Sequence, residues 1–187
     1  MKNNNKSLLQ YIIMFWKLLV LLAVFLHYCV ESANVVRTVA GNGQGVDIRG
    51  CGVEGNVNCN TTQFAIFESN DGDEIVLLKG IHTCDSNITD EDVHDGGIRF
   101  VQRDGTTAIS GIFIHGANNT RNDNVIYDCK HTKRAFAFMS ENEGLNTVFS
   151  NFSIFNGSAY VGGGVHIESQ AQPIFNHVIW IRNVAQG

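Results

Sequence analysis

Residues 146–187 of the chain are NTVFSNFSIFNGSAYVGGGVHIESQAQPIFNHVIWIRNVAQG. One constant shift along the chain aligns this stretch with itself, and we call it the repeat shift. It pairs Val148 with Ile174, Phe149 with Phe175, Phe152 with Val178, Ile154 with Trp180, Phe155 with Ile181 and Ala159 with Ala185. A period in the twenties with several short strands is typical of a β-solenoid, whose coils stack in parallel. A β-sandwich built from hairpins does not repeat like residues at one constant interval along the sequence.

The three consecutive glycines at 162–164 lie at the start of an alternating segment. They predict a bend into a strand at a point where stacked backbones approach closely. In that strand Val165 and Ile167 should point inward, and His166 and Glu168 should point outward. We expect asparagine or small residues at the other corners, where the chain must bend sharply.

Short runs of β-branched and aromatic residues continue upstream and predict an all-β protein. Gly, Asn, Asp or Ser residues bound each run, and helical periodicity is almost absent. One segment is ambiguous, since Phe64 to Ser69 fits a helical turn or two before a strand at Ile75 to Leu78. The remaining predicted strands lie in GGIRFV (96–101), AISGIFIHG (108–116), NVIYDC (124–129) and RAFAFM (134–139).

The N-terminal region differs from the rest of the 187-residue chain. Residues 1–32 are typical of a signal peptide, with two early lysines, an apolar core and small residues before a cut after Ser32. An uncleaved signal anchor is the alternative, provided that Lys17 snorkels to the membrane surface. The remaining domain, 33–187, carries 10 basic and 17 acidic residues, a net charge of −7 that disfavours nucleic acid as a partner.

Four cysteines remain in the exported domain: Cys51, Cys59, Cys84 and Cys129. An even number in an exported protein predicts two disulfides, and of three possible pairings we favour Cys51–Cys59 and Cys84–Cys129. The alternative is a zinc site, because His82 lies two residues before Cys84 and His131 two after Cys129. We expect no other metal or cofactor.

Five Asn-x-Ser/Thr sequons agree with export and predict N-glycosylation. They begin at Asn60, Asn87, Asn118, Asn151 and Asn156. The predicted location is therefore outside the cell or at its surface.

The order of these pieces resembles a known family of folds. Residues 156–187 are similar to the glycine-glycine repeats of right-handed parallel β-helix proteins of the pectin-lyase-like superfamily, in particular those related to polymorphic outer membrane proteins. Upstream, CGVEGNVNC (51–59) and TTQFAIFESNDGDEIVLLKGIH (61–82) resemble a capping segment before the first coil, and VIYDCKHTKRAFAF (125–138) resembles later ladder strands. The resemblance covers residues 36–187 and implies a right-handed solenoid, capped at its N-terminus and truncated at its C-terminus.

The sequence departs from that family in two ways. The Phe-x-x-Asn motif of the polymorphic membrane proteins is missing, and residues 180–183, WIRN, are the nearest match. The catalytic segments of polygalacturonases are missing too, and we interpret His115 in IHG (114–116) as an outward histidine at a turn. The acidic clusters at 71–74 and 90–95 are interpreted as turns, with a calcium site as the alternative.

The combined pattern favours a non-catalytic extracellular scaffold for adhesion or for binding polysaccharide or a surface protein. Exposed aromatic residues that stack on sugar rings would suit that role, and Tyr127 and Tyr160 are the candidates. The alternative is a polysaccharide lyase or hydrolase whose active site lies in further coils. A membrane partner is expected only through an uncleaved anchor or a C-terminal segment beyond this sequence.

Overall fold

The structure is a computed structural model that describes residues 14–19, 34–84, 97–104, 106–117 and 124–187. The chain divides into two compact units, Met1–Ala33 and Asn34–Gly187. In the first unit residues 14–19 are helical, and most of the predicted signal peptide lies outside the described residues. Among the residues that are described, no helix has the length and apolar character needed to cross a membrane.

The second unit is mostly β, as the sequence predicts. In its described part the one α-helix is α1, Thr62–Phe67. All pairings between the named strands are parallel. The strands are β1 Val36–Val39, β2 Glu74–Leu77, β3 Gly80–Thr83, β4 Ile98–Arg99, β5 Phe113–Gly116, β6 Val125–Asp128, β7 Phe136–Phe138, β8 Val148–Phe155, β9 Ser158–Ala159, β10 Val165–Ile167, β11 Ile174–Ile181 and β12 Val184–Ala185.

The repeat shift found in the sequence is the register of two parallel strand pairs. Strand β11 pairs with β8 through Phe149–Phe175 and Ile154–Trp180, among others, and β12 pairs with β9 through Ala159–Ala185. All six predicted pairs are neighbours in these ladders. The repeat therefore reports parallel, in-register stacking of like residues, as predicted.

Earlier strands join the same ladder at longer intervals. The order is β1, β2, β5, β8, β11, and the first residues of these strands occupy matching positions. Those residues are Val36, Glu74, Phe113, Val148 and Ile174, so the last step along the chain is the shortest. Strands β3 and β6 form a second ladder that joins the C-terminal half of β8.

Each of the two long strands bends at a residue with positive φ. The bend in β8 is at Asn151 (φ 60°) and that in β11 is at His177 (φ 52°), one repeat shift later. The strands end at a second such pair, Asn156 (φ 56°) and Arg182 (φ 54°). Asparagine tolerates the left-handed region better than most residues, so the predicted asparagine corners are confirmed in β8.

The glycine triplet lies where backbones meet. A Cβ atom on Gly163 would lie 2.2 Å from the Val184 carbonyl oxygen, and one on Gly164 would lie 2.9 Å from the Trp180 ring. The predicted close approach is therefore confirmed. In the strand that follows, Val165 packs against the core, whereas Ile167 is 47% exposed because β10 ends its ladder.

The core is a column of aromatic rings inside the ladders. Phe149 lies at its centre, with its ring centroid 4.9 Å from that of Phe136, 5.5 Å from Phe100 and 4.8 Å from Phe175. Aromatic pairs of this kind contribute about 0.5–1.5 kcal/mol each beyond the area they bury. The fully buried rings are those of Phe100, Tyr127, Phe136, Phe138, Phe149 and Phe152.

A buried ion pair fixes the turn before β8. The Glu143 carboxylate is fully buried and accepts hydrogen bonds from Arg99 Nε at 2.6 Å and Nη2 at 3.0 Å. It also accepts from the backbone N–H groups of Phe100 (2.9 Å) and Met139 (2.8 Å). A buried carboxylate with four donors is well satisfied, so this pair ties the turn to β4 and β7.

The free edge of β1 is covered by the segment around the first disulfide. Thr38 exchanges backbone hydrogen bonds with this segment, donating to Gly52 O and accepting from Cys59 N, each at 2.9 Å. The Arg37 side chain lies beneath it and donates to the carbonyl oxygens of Cys51 and Glu68. The edge of β1 is therefore hydrogen-bonded to this segment and not open.

Candidate binding surface

The four cysteines form two disulfides with the favoured pairing. Cys51 is bonded to Cys59, and Cys84 to Cys129. The zinc alternative is therefore wrong, because the sulfur atoms of Cys84 and Cys129 are no longer thiolates that can bind metal. Among the described residues, no group of three or more His, Cys, Asp or Glu side chains is placed to hold a metal ion.

The two histidines of the rejected zinc site have different environments. His131 is exposed in a turn with φ 58°. His82 is only 3% exposed, and its Nε2 lies 2.8 Å from the Leu78 carbonyl oxygen, which requires Nε2 to carry the proton. Burial lowers the pKa of His82, so the folded protein holds it in the neutral form.

The acidic cluster at 71–74 is structural in this fold. Asp73 is buried and accepts from the backbone N–H groups of Val35 and Asn70, both at 2.9 Å. Asp71 accepts from the Ser110 N–H at 2.8 Å. The predicted turn role is confirmed for Asp71 and Asp73, whereas Glu74 begins β2 and the cluster at 90–95 lies outside the described residues.

His115 connects β5 to β2. Its Nε2 lies 2.6 Å from Glu74 Oε1 and its Nδ1 lies 2.8 Å from the Gly116 carbonyl oxygen, while its ring stacks on Phe113 at 4.6 Å. Both ring nitrogens therefore lie against oxygen atoms of the fold. The ring is inside β5 and only 6% exposed, which corrects the prediction of an outward histidine at a turn.

The two tyrosines chosen as sugar-stacking candidates differ sharply in exposure. Tyr160 is 67% exposed. Tyr127 is fully buried, with its hydroxyl 2.5 Å from Thr62 Oγ1, so its proposed role as an exposed platform is wrong. Desolvation raises the pKa of Tyr127 above its usual range. Alternation within β6 could have revealed this, because Val125 and Tyr127 share the inner face.

Several exposed apolar side chains lie on β10, β11 and β12 or directly follow β9. Trp180 is 43% exposed, and its ring lies edge-on to Phe175 at 5.2 Å and against Gly164. We call this area the end surface and define it as Tyr160, Val161, Ile167, Ile174, Ile179, Trp180 and Val184, which are 43–67% exposed. These residues do not all share one face, because Ile179 and Trp180 are consecutive in β11 and point to opposite sides of the strand.

The side chains of Asp71, Asp73, Glu74, His82 and His115 make hydrogen bonds to one another or to the backbone, and the exposed groups at the end surface are aromatic and aliphatic. No known protein family, characterised protein or solved structure matches the chain. Its function must therefore be inferred from the ladders and the end surface.

Proposed function

We propose that this chain is an exported right-handed parallel β-helix that acts as a non-catalytic scaffold for adhesion or binding at the cell surface. The observation that carries the proposal is the in-register stacking of β11 on β8 and of β12 on β9 at the same repeat shift. Stacking of like residues at one period is the organising feature of solenoids. The similarity of residues 156–187 to glycine-glycine repeats of surface β-helices supports the handedness and the role.

Two features support export. Both disulfides fit an extracellular or otherwise oxidising compartment, because cytosolic reductants keep most thiols reduced. Residues 1–32 have the composition of a signal peptide. We infer that these residues direct the chain into the secretory pathway.

The proposed binding contact is Tyr160, which directly follows β9 and is 67% exposed. Tryptophan and tyrosine dominate the binding energy of many interfaces because their rigid rings give large contact area at low entropic cost. Their faces also stack on sugar rings, so the partner is a polysaccharide or a surface protein. Truncation of such a residue costs about 2 kcal/mol, which is roughly 30-fold in affinity.

Binding to a panel of immobilised polysaccharides and to intact cells tests the proposal. We expect the disulfide-bonded protein to bind, and we expect Y160A to weaken binding roughly 30-fold. The matched control is I81A, which truncates an apolar side chain of similar exposure (48%) on β3, outside the end surface. Release of unsaturated or reducing sugars during the incubation would favour the lyase or hydrolase instead.

A further inference from the structure

Three of the five sequons lie among the described residues, at Asn60, Asn151 and Asn156. Their side-chain amides have different surroundings. A glycan is attached through Nδ2, so the structure tolerates it only where that nitrogen points to solvent and has no structural task. The other two sequons, at Asn87 and Asn118, lie outside the described residues.

The amide of Asn156 is part of a corner. Its Nδ2 donates to Asp128 Oδ1 at 2.9 Å, and this hydrogen bond is the main reason why the pKa of Asp128 is lowered. Its Oδ1 is buried and has no hydrogen-bond partner in the described part of the chain. A glycan on this nitrogen would force the amide out of the corner where β8 ends.

Asn60 is also held within the fold. Its Oδ1 is buried, and its backbone N–H donates to Asp47 Oδ1 at 2.9 Å. The Thr61 backbone N–H donates to the same oxygen at 3.0 Å, directly before α1. The sequon therefore lies in the tightly bonded entry to the helix.

Asn151 is exposed at the bend of β8. The pairing with β11 passes from Ser150 to Phe152 without including it, so its side chain projects away from the ladder. Within the described residues its amide makes one hydrogen bond, from Nδ2 to Ser150 Oγ at 3.5 Å, the outer limit for such a bond. A substituent on Nδ2 would leave the ladder intact.

We propose that Asn151 carries an N-linked glycan in the folded protein and that Asn60 and Asn156 do not. This inference rests on the proposed export. The donor is a lipid pyrophosphate-linked oligosaccharide: Nδ2 bonds to the anomeric carbon, the bond from that carbon to the pyrophosphate oxygen breaks, and the amide loses one proton. Ser153, the hydroxyl residue of the sequon, is only 1% exposed, so transfer precedes the stacking of β8, and the folded, secreted protein then contains only those chains whose modified asparagine the fold accepts.

The test is site-resolved glycan mapping of the full chain secreted from eukaryotic cells. An amidase that releases N-glycans converts each occupied asparagine to aspartate, and peptide mass spectrometry then identifies it. We expect this conversion at Asn151 and not at Asn60 or Asn156.

Two matched variants separate the glycan from the structure. N151D should remove one glycan's mass, and after amidase treatment it should melt at the same temperature as the treated parent, because the amidase leaves the same aspartate at position 151. N156D should leave the glycan mass unchanged and lower the melting temperature by about 3 °C or more, because it places a second carboxylate against Asp128.

Each contrary outcome has a different consequence. A secreted, disulfide-bonded protein that is unmodified at Asn151, or modified at Asn156 or Asn60, would overturn this inference and leave the proposed export intact. Retention in the cytosol with free thiols would overturn the proposed export and the inference with it.

Discussion

The two ends of the main ladder expose their inner residues to different degrees. At β1 the inner residues Arg37 and Val39 are 7% and 0% exposed, because the segment around Cys51–Cys59 covers them. At β11 Trp180 is 43% exposed, and no strand in the described part of the chain pairs with its outer edge. Ile154, the partner of Trp180 in β8, is fully buried, so one ladder position is core or surface depending on what is stacked over it.

The largest expected effect comes from truncating one aromatic residue inside the ladder and its neighbour at the end. Phe149 is fully buried and Phe175, its pair in β11, is partly buried. F149A should lower the free energy of unfolding by about 3–5 kcal/mol, whereas F175A should cost about 1–2 kcal/mol because solvent already reaches that ring. Chemical denaturation of both variants checks the difference.

Equal reductions in the free energy of unfolding for F149A and F175A would contradict the expected difference between β8 and β11. They would mean that β11 is covered in solution as fully as β8. Analytical ultracentrifugation of the unmodified protein would then show whether a second copy supplies the cover.

The two disulfides should contribute unequally. Cys84–Cys129 spans 45 residues and Cys51–Cys59 spans 8. Loop-closure entropy predicts that removing the longer crosslink by a double serine substitution costs about 4 kcal/mol, against about 2.5 kcal/mol for the shorter one. Thermal melts of the two double variants test which one loses more stability. A larger loss for the Cys51–Cys59 variant would show that this disulfide stabilises the segment over β1 by more than loop-closure entropy.

The next expected effect on stability concerns β1 and the segment around Cys51–Cys59 that covers it. R37M keeps most of the side chain's volume but leaves the carbonyl oxygens of Cys51 and Glu68 without their donor. We therefore expect the free energy of unfolding to fall by about 1–3 kcal/mol. R49M is the control, since Arg49 is exposed and should change stability by less than about 0.5 kcal/mol. An R37M variant as stable as the parent would indicate that the segment covering β1 does not need this side chain.

The smallest expected effect is a dependence of folding stability on pH that arises from His82. Its pKa is lowered in the fold, so the unfolded chain takes up a proton first as the pH falls below the ordinary value of 6.5. Stability should fall below that pH by at most about 1.4 kcal/mol per pH unit until His82 itself is protonated in the fold. H82Q should flatten this slope relative to the parent and H131Q should not, as denaturation at pH 5 to 7.5 would show.

Sequence was informative where neighbouring coils are similar. The repeat shift matched the register of β8 with β11, and four cysteines favoured the pairing that the structure has. The earlier steps of the ladder, from Val36 through Glu74 and Phe113 to Val148, were not visible, because segments of different length separate those strands and no constant period survives.

Contacts between distant polar residues were also invisible. Glu143 lies in a polar stretch that resembles an exposed turn, and its partner Arg99 is 44 residues away. Likewise, Glu74 and His115 were noticed separately, but only the pairing of β2 with β5 brings them together. Such pairs depend on tertiary structure, which no local pattern encodes.

The most direct test of the account is a set of backbone nuclear Overhauser contacts between β8 and β11 in the isotopically labelled domain. In-register parallel pairing predicts contacts between Phe149 and Phe175 and between Ile154 and Trp180. An antiparallel hairpin would instead bring Phe149 close to Trp180 and Ile154 close to Phe175. The first pattern would support coils stacked at the repeat shift, and the second would contradict them.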